Sequence, residues 1–102
     1  MENYPDKTHA IIGLQNRGYA LDFILKDENL FCPQEHELIS PDEFEITETY
    51  QFAESHGADD TDVIYGIKSK RRDMKGILLT SYSTFRQGFG IHLWCKLSRT
   101  LR

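Results

Sequence analysis

Several aspartates and a histidine gather in one short segment, where their side chains could hold a divalent cation. The segment reads HGADDTD over residues 56–62, and its candidate ligands are His56, Asp59, Asp60 and Asp62. Carboxylate oxygens suit Mg²⁺ and Ca²⁺, but the twelve-residue calcium loop with its closing glutamate is missing. We favour the alternative interpretation, a polar turn whose Asp side chains cap local N–H groups.

A basic cluster follows one predicted strand later and could contact the phosphates of a small ligand or of a nucleic acid. Its members are Lys68, Lys70, Arg71, Arg72 and Lys75. The aromatic candidates for base stacking are Tyr65, Tyr82 and Phe85. A solvated hairpin turn explains the same cations. The acidic balance of the whole chain favours that interpretation over nucleic-acid binding.

Two short thiol–imidazole pairs, Cys32 with His36 and His92 with Cys95, could together form a tetrahedral zinc site. Neither pair has zinc-knuckle spacing and nothing in the sequence brings them together, so no metal or cofactor is predicted. A cysteine that acts as a small buried hydrophobe is the simpler interpretation. Cys32 with His36, or Ser81 with His92, could act as nucleophile and base, but no orienting partner is evident. We therefore do not favour an enzyme.

The elements that must position these residues begin with a helix predicted over residues 6–18. Asp6 is its predicted N-cap, and Gly18 can take the left-handed conformation that ends a helix. The apolar stripe of this helix consists of Ala10, Ile11 and Leu14.

Alternating apolar residues predict about five strands after this helix. The strands cover residues 20–26, 30–32, 44–54, 63–67 and 74–82. Ser40 to Glu43 carries the signature of a capping box, which predicts one helical turn before the third strand. Glu48 falls on the apolar face of that strand, which indicates a sheet edge, a bulge or a functional site.

The strand at 63–67 separates the aspartates from the basic cluster. Asp62 and Lys68 lie six residues apart, about 20 Å in an extended strand, so they cannot both hold one small ligand. Residues 77–79 are continuously apolar, which predicts a central strand. A final helix could pack its apolar residues on the sheet, with Lys96, Arg99 and Arg102 outside, but the conformation of residues 83–102 is left open. Its apolar residues are Ile91, Leu93, Trp94, Leu97 and Leu101.

The order of these segments resembles a family of small bacterial proteins of unknown function. The matching segments are RGYALDF, PDEFEI, YQFAESHGADDTDVIYGI and KGILLTSYSTF, which cover about residues 10–85. Members of that family often carry the label phosphoribosylpyrophosphate synthetase, so the resemblance implies a fold and, at most, that activity. This sequence departs from the family pattern beyond Phe85, where it reads RQGFGIHLW.

A synthetase of that kind needs loops whose N–H groups cradle phosphates. Here Asp59 and Asp60 precede a strand instead of following one, and the sequence contains neither GxGxxG nor GxxxxGK[ST]. A small enzyme related to the synthetase is therefore only the third candidate function.

Composition sets the broad class of the protein. The 102 residues indicate one domain, with 39% hydrophobic and 27% charged residues. Residues 1–66 carry a net charge of −12 and residues 67–102 one of +8, which sum to −4. We read this as neighbouring acidic and basic strands that neutralise each other, with nucleic-acid binding as the alternative.

The two cysteines suggest no disulfide framework, and neither a secretory signal nor a membrane span is evident, so a cytoplasmic location is expected. We expect an α+β domain in which an N-terminal helix packs on an antiparallel sheet of about five strands. One helix would cover one sheet face and leave the other partly open. An open face favours self-association, so the leading function is a non-enzymatic interaction or regulatory module that forms a homodimer, with any protein partner unknown.

Overall fold

A computed structural model describes residues 3–53, 61–70, 72–81 and 91–99, apart from the side chains of residues 91, 92 and 94. These residues form two α-helices, six β-strands and one 3₁₀ turn. In chain order the elements are α1 (Lys7–Asn16), β1 (Leu21–Lys26), β2 (Asn29–Cys32), β3 (Glu37–Ile39), the 3₁₀ turn (Pro41–Glu43), β4 (Phe44–Ala53), β5 (Thr61–Ser69), β6 (Lys75–Ser81) and α2 (Ile91–Ser98).

The strands form one mixed sheet in the order β3-β2-β1-β6-β5-β4. Each neighbouring pair is antiparallel except β1 and β6, which are parallel, with Leu21 opposite Gly76 and Phe23 opposite Leu78. The α+β class and the N-terminal helix are thus confirmed. The prediction of an antiparallel sheet of about five strands was roughly right: the sheet is mostly antiparallel, but it has six strands and one parallel pair.

The strand missing from the prediction is β3. Pro33 directly follows β2 and ends it, since proline cannot donate to the ladder. The chain then reverses at once, because His36 takes a left-handed backbone conformation with φ of 51°. The three residues of β3 therefore return along β2, with Ile39 opposite Leu30. The segment Glu37-Leu38-Ile39 begins with a charged residue and does not alternate, so the sequence carries no signal of a strand there.

The caps of the first two helical segments agree with the sequence. Asp6 accepts a hydrogen bond from the backbone N–H of His9 at 2.8 Å, and Gly18 has φ of +100°. At the 3₁₀ turn, the backbone N–H and the hydroxyl of Ser40 both donate to Glu43 Oε1 at 3.0 Å. These local bonds fix where α1 begins and ends and where β4 starts.

The core lies on both faces of the sheet, which corrects the expectation that a helix covers only one. On one face, Leu93 and Leu97 of α2 join a cluster of buried residues from all six strands. Tyr65 is fully buried in this cluster and donates its hydroxyl to the carbonyl oxygen of Leu97 at 2.8 Å.

The opposite face carries α1 and a smaller cluster. Ala10 and Leu14 pack there with Tyr50, Ile64 and Ile77, which come from β4, β5 and β6. The main contacts of α1 are with these three strands. Among the described residues, no helix covers β1, β2 and β3 on this face. We call that part of the sheet the open half.

Membrane insertion through a helix finds no support in the described residues, because neither α1 nor α2 is long and apolar enough to cross a bilayer.

The parallel pairing of β1 with β6 leaves no room for a side chain at Gly76. A Cβ atom there would lie 2.5 Å from the carbonyl oxygen of Leu21 and 2.6 Å from the ring of Phe23. We therefore expect Gly76→Ala to lower the free energy of unfolding by about 1–3 kcal/mol, the usual cost of overpacking. Urea unfolding monitored by circular dichroism measures it.

Gly66→Ala is the matched control, because its nearest obstacle is the side chain of Tyr19 at 3.1 Å, which has more freedom to shift than backbone. We expect a smaller loss there. An unchanged midpoint for Gly76→Ala would contradict the close β1–β6 contact.

Candidate interaction surface

A β-bulge in β4 builds the tightest polar cluster of the described residues. Ile46 lies opposite Ile67 and Glu48 opposite Gly66, so Thr47 is the extra residue of the bulged strand. The Thr47 hydroxyl donates to the carbonyl oxygen of Gly66 at 3.1 Å. β4 is also the edge strand of the sheet. Both structural interpretations of Glu48, an edge and a bulge, are thus confirmed.

Arg17, one residue beyond α1, binds the Glu48 carboxylate with two hydrogen bonds of 2.6 Å. Tyr50 donates its hydroxyl to Oε1 and Tyr19 to Oε2, the latter at 3.2 Å. The Glu48 side chain is only 10% exposed. The hydrogen bonds from Arg17 lower the pKa of Glu48 to about 2, helped by those from Tyr50 and Tyr19 and opposed by burial. Burial, followed by the neighbouring carboxylate, raises the pKa of Tyr50 to about 12.

This geometry suits a structural clamp better than a catalytic base. A general base needs a free lone pair and a pKa near the working pH. Both oxygens of Glu48 already accept two hydrogen bonds each, and its pKa lies far below neutrality. The cluster fastens the end of α1 to β4.

The described members of the basic cluster have different surroundings in the structure. Lys75 donates to the carbonyl oxygen of Arg17 at 3.2 Å, and its Nζ lies 4.2 Å from the centre of the Tyr19 ring, so it caps α1. Arg72 pairs with Glu37 of β3 at 2.7 Å. Lys68 and Lys70 have exposed side chains, and Arg71 lies outside the described residues. Of the four described cations, two are thus engaged with other parts of the fold and two are exposed.

Lys96 of α2 was expected on the outside of the final helix, but the structure places its ammonium group against the 3₁₀ turn and the Phe44 ring. Its Nζ donates to the carbonyl oxygen of Pro41 at 2.5 Å and to that of Phe44, and it lies 4.4 Å from the centre of the Phe44 ring. Burial lowers the pKa of Lys96, and the nearby charge of Lys70 lowers it further.

The thiols and imidazoles are in different surroundings. Cys32 is buried in the core beneath α2, whereas Cys95 is exposed on α2. His36 lies in the turn before β3. No group of three possible metal ligands occurs among the described residues. The His92 side chain lies outside those residues, and the zinc site formed by Cys32, His36, His92 and Cys95 stays a hypothesis.

The aspartate segment is described only at its end. Asp62 forms an ion pair with Lys7 of α1 at 2.9 Å. The pair ties the start of α1 to the start of β5. His56, Asp59 and Asp60 lie outside the described residues.

The open half of the sheet and the adjacent strand β6 together present a continuous apolar row. Leu38 of β3 lies opposite Phe31 of β2, and Phe31 lies opposite Ile24 of β1. Extending the β1–β6 register by one residue places Leu79 of β6 beside Ile24. Leu38, Ile24 and Leu79 are each about half exposed, at 49%, 48% and 49%. We call the set of Leu38, Phe31, Ile24 and Leu79 the apolar row. It crosses four strands and spans about 14 Å.

Such a row is unusual for solvent-facing sheet. Scattered exposed apolar side chains are ordinary, but contiguous ones mark interaction sites. No single strand shows the row, since each contributes one residue. The sequence signal was weak: Ile24 alternates with Asp22 and Lys26, and Leu79 ends an apolar triplet.

No protein-family model matches this chain, and neither a curated protein nor a solved structure matches it. The surface itself must therefore indicate the function.

The clamp predicts a pH-dependent contribution to stability. We expect Glu48→Gln to lower the free energy of unfolding at pH 7 by about 1–3 kcal/mol, an amount limited by the partial exposure of Arg17. Because the folded pKa of about 2 lies below the ordinary value of 4.5, the stabilisation is present above pH 4.5 and is lost as the pH falls towards 2. The difference between wild type and variant should shrink over that range in urea unfolding.

Glu45→Gln serves as the control, because Glu45 is an exposed carboxylate on the same strand. Its effect should stay within about 0.5 kcal/mol at every pH. A Glu48 variant as stable as wild type at pH 7 would show that the clamp contributes nothing.

Proposed function

We propose that this protein is a non-enzymatic interaction module that works as a homodimer. The observation that carries the proposal is the apolar row, which exposes Ile24, Leu38 and Leu79 beside Phe31. Burial of such side chains contributes roughly 25 cal/mol per Å² of apolar surface, which favours association.

The polar clusters support a non-enzymatic role. Glu48 is fully engaged with its hydrogen-bond donors, and Arg72 and Lys75 hold parts of the fold together. Side chains committed in this way maintain the shape of the surface. The association of surfaces, not bond chemistry, is the activity that this arrangement serves best.

Two further proposals accompany this one. The first is membership of the small bacterial family that the sequence resembles. The second is a cytoplasmic location, which suits two free cysteines, one of them exposed. Neither proposal alters the surface that carries the function.

Self-association is tested by mass. We expect light scattering and native mass spectrometry to give about twice the 11.9 kDa of the chain at micromolar concentration. Native spectra of freshly purified protein would also report any retained ligand or metal. A strictly monomeric mass at high concentration would contradict the homodimer.

A second candidate function is binding of a phosphate ligand or of nucleic acid through the basic turn. The observation that favours it is the position of Lys70. Its backbone N–H donates to the carbonyl oxygen of Glu43 in the same 3₁₀ turn whose Pro41 carbonyl binds Lys96. Arg99 follows Lys96 by three residues, which adds a third cation nearby. Asp42 and Glu45 also lie near Lys96, so the local charge is mixed.

The basic turn can be tested by replacing Lys70, Arg71 and Arg72 together with Gln. We expect folding to remain nearly intact, because the exposed Arg72–Glu37 pair contributes only about 0–1 kcal/mol. We also expect no binding of wild type to a mixed RNA and DNA pool near physiological ionic strength, given the net charge of −4. Salt-dependent binding by wild type that the variant loses would instead establish the second function.

A further inference from the structure

The exposed apolar residues and the outer face of α1 form two halves of one surface. The large hydrophobic residues exposed in the described part of the chain are Ile12, Ile24, Leu38 and Leu79. Three of them lie in the apolar row, and Ile12 lies on α1, which covers the adjacent strands of the same sheet face. A partner that approaches this face meets all four at once.

We infer that the occupant of the open half is α1 of a second copy of this chain, so that each protomer lays its α1 across the other's apolar row. This inference rests on the proposed homodimer and specifies its interface. The two copies of α1 would lie side by side in one layer between the two sheets. A twofold axis parallel to the helices relates the two copies, so each contact occurs twice.

The open half has room for one helix. An α-helix with side chains is about 10–12 Å wide, and the apolar row spans about 14 Å. The protomer's own α1 fills the neighbouring space above β4, β5 and β6. One chain thus supplies half of the helical layer on this face of the sheet, and α1 of the second copy supplies the other half.

The composition of α1 fits burial on both sides. Residues 8–16 read THAIIGLQN and include no Asp, Glu, Lys or Arg, in a chain that is 27% charged. Ala10 and Leu14 face the protomer's own sheet, whereas Ile12 is 51% exposed on the outer side. A helix that faces solvent carries charge on its outer face, and the centres of protein interfaces are depleted of charge.

The levels of the two ends of α1 can be compared with β1 through the strand register. On β1, Asp22 and Lys26 flank Ile24 and point to the same face, since side chains two apart share a face. Lys7 of α1 pairs with Asp62, which lies opposite Ser81 near the end of β6. The start of α1 is therefore level with Lys26.

The end of α1 is level with Asp22 by the same reasoning. Leu14 approaches Gly66, Gly66 lies opposite Ile77, and Ile77 lies opposite Asp22. A twofold axis parallel to α1 preserves these levels. The start of the docked helix then lies level with Lys26 and its end level with Asp22, so the helix spans the part of β1 that carries Ile24.

The required area also favours this occupant. A standard interface takes about 800 Å² from each protomer, which four side chains cannot supply. Use of the open half together with the outer face of α1, a helix about 15 Å long, extends the contact over most of this side of the molecule.

Disulfide trapping tests the geometry directly. In a Cys95→Ser background, the variants Ile12→Cys and Ile24→Cys are prepared separately, one of them labelled with ¹⁵N, then mixed, allowed to exchange and mildly oxidised. We expect a mixed disulfide, identified by its mass and reversed by reductant. The control mixture pairs Ile12→Cys with Lys68→Cys, whose exposed side chain lies beyond the end of the docked helix, and should give little mixed product.

Charge insertion gives an independent measurement. We expect Ile12→Glu and Ile24→Glu each to weaken dimerisation by at least roughly 30-fold, because each change buries a charge twice in the dimer. Lys68→Glu should leave the dissociation constant within about threefold of wild type. The urea midpoint of each variant, measured alongside, reports whether it folds.

The outcomes separate this inference from the proposed function. If wild type is a monomer, both fail. If wild type is a dimer but the mixed disulfide does not exceed the control, or the two Glu variants dimerise like wild type, the interface assigned here is wrong while self-association stands. A mixed disulfide together with weakened dimers would support both.

Discussion

The width of one helix sets the outline of this molecule. An α-helix covers about 10 Å of sheet, whereas six strands extend over about 24 Å. On its own face, α1 packs on β4, β5 and β6, and no described element covers the rest. The other face buries its larger cluster with the help of Leu93 and Leu97. The asymmetry between the two faces follows from this mismatch and leaves apolar side chains in contact with solvent.

A small helix on a wide sheet must also be held in place. The hydrogen-bonded clamp at Glu48 fixes the end of α1, and the Lys7–Asp62 pair fixes its start. Lys75 of β6 donates a hydrogen bond to the carbonyl oxygen of Arg17, just beyond the end of α1. These contacts lie along α1 and resist its rotation on the sheet. The position of Ile12, and hence the shape of the exposed surface, depends on them.

Local signals made part of this structure predictable. The helix caps depend only on residues a few positions apart, so the local sequence is enough to predict them. They are Asp6, Gly18 and the Ser40–Glu43 box. The polar Glu48 on an apolar strand face likewise indicated the bulge that the structure contains. Such features depend on spacing alone.

Features that depend on pairing between distant segments could not be predicted. The parallel contact of β1 with β6 brings residues 21 and 76 together, and alternation in either strand does not reveal the direction of its neighbour. The apolar row draws one residue from each of four strands. The basic residues likewise looked like one patch in the sequence, although Arg72 and Lys75 have separate partners. The apolar row and the separate surroundings of the basic residues can be recognised only when the strand register is known.

The β1–β6 junction divides the chain's folding into local and remote events. β1, β2 and β3 form a meander through short turns, and β5 and β6 form a tight hairpin. The hydrogen bonds between the two halves instead join residues some 55 positions apart. Closing a loop of that length has a higher entropic cost than closing the short connections of the β1–β2–β3 meander or of the β5–β6 hairpin. The halves can therefore acquire their own strand pairs first, and a continuous sheet exists only after the slowest, most remote contact has formed.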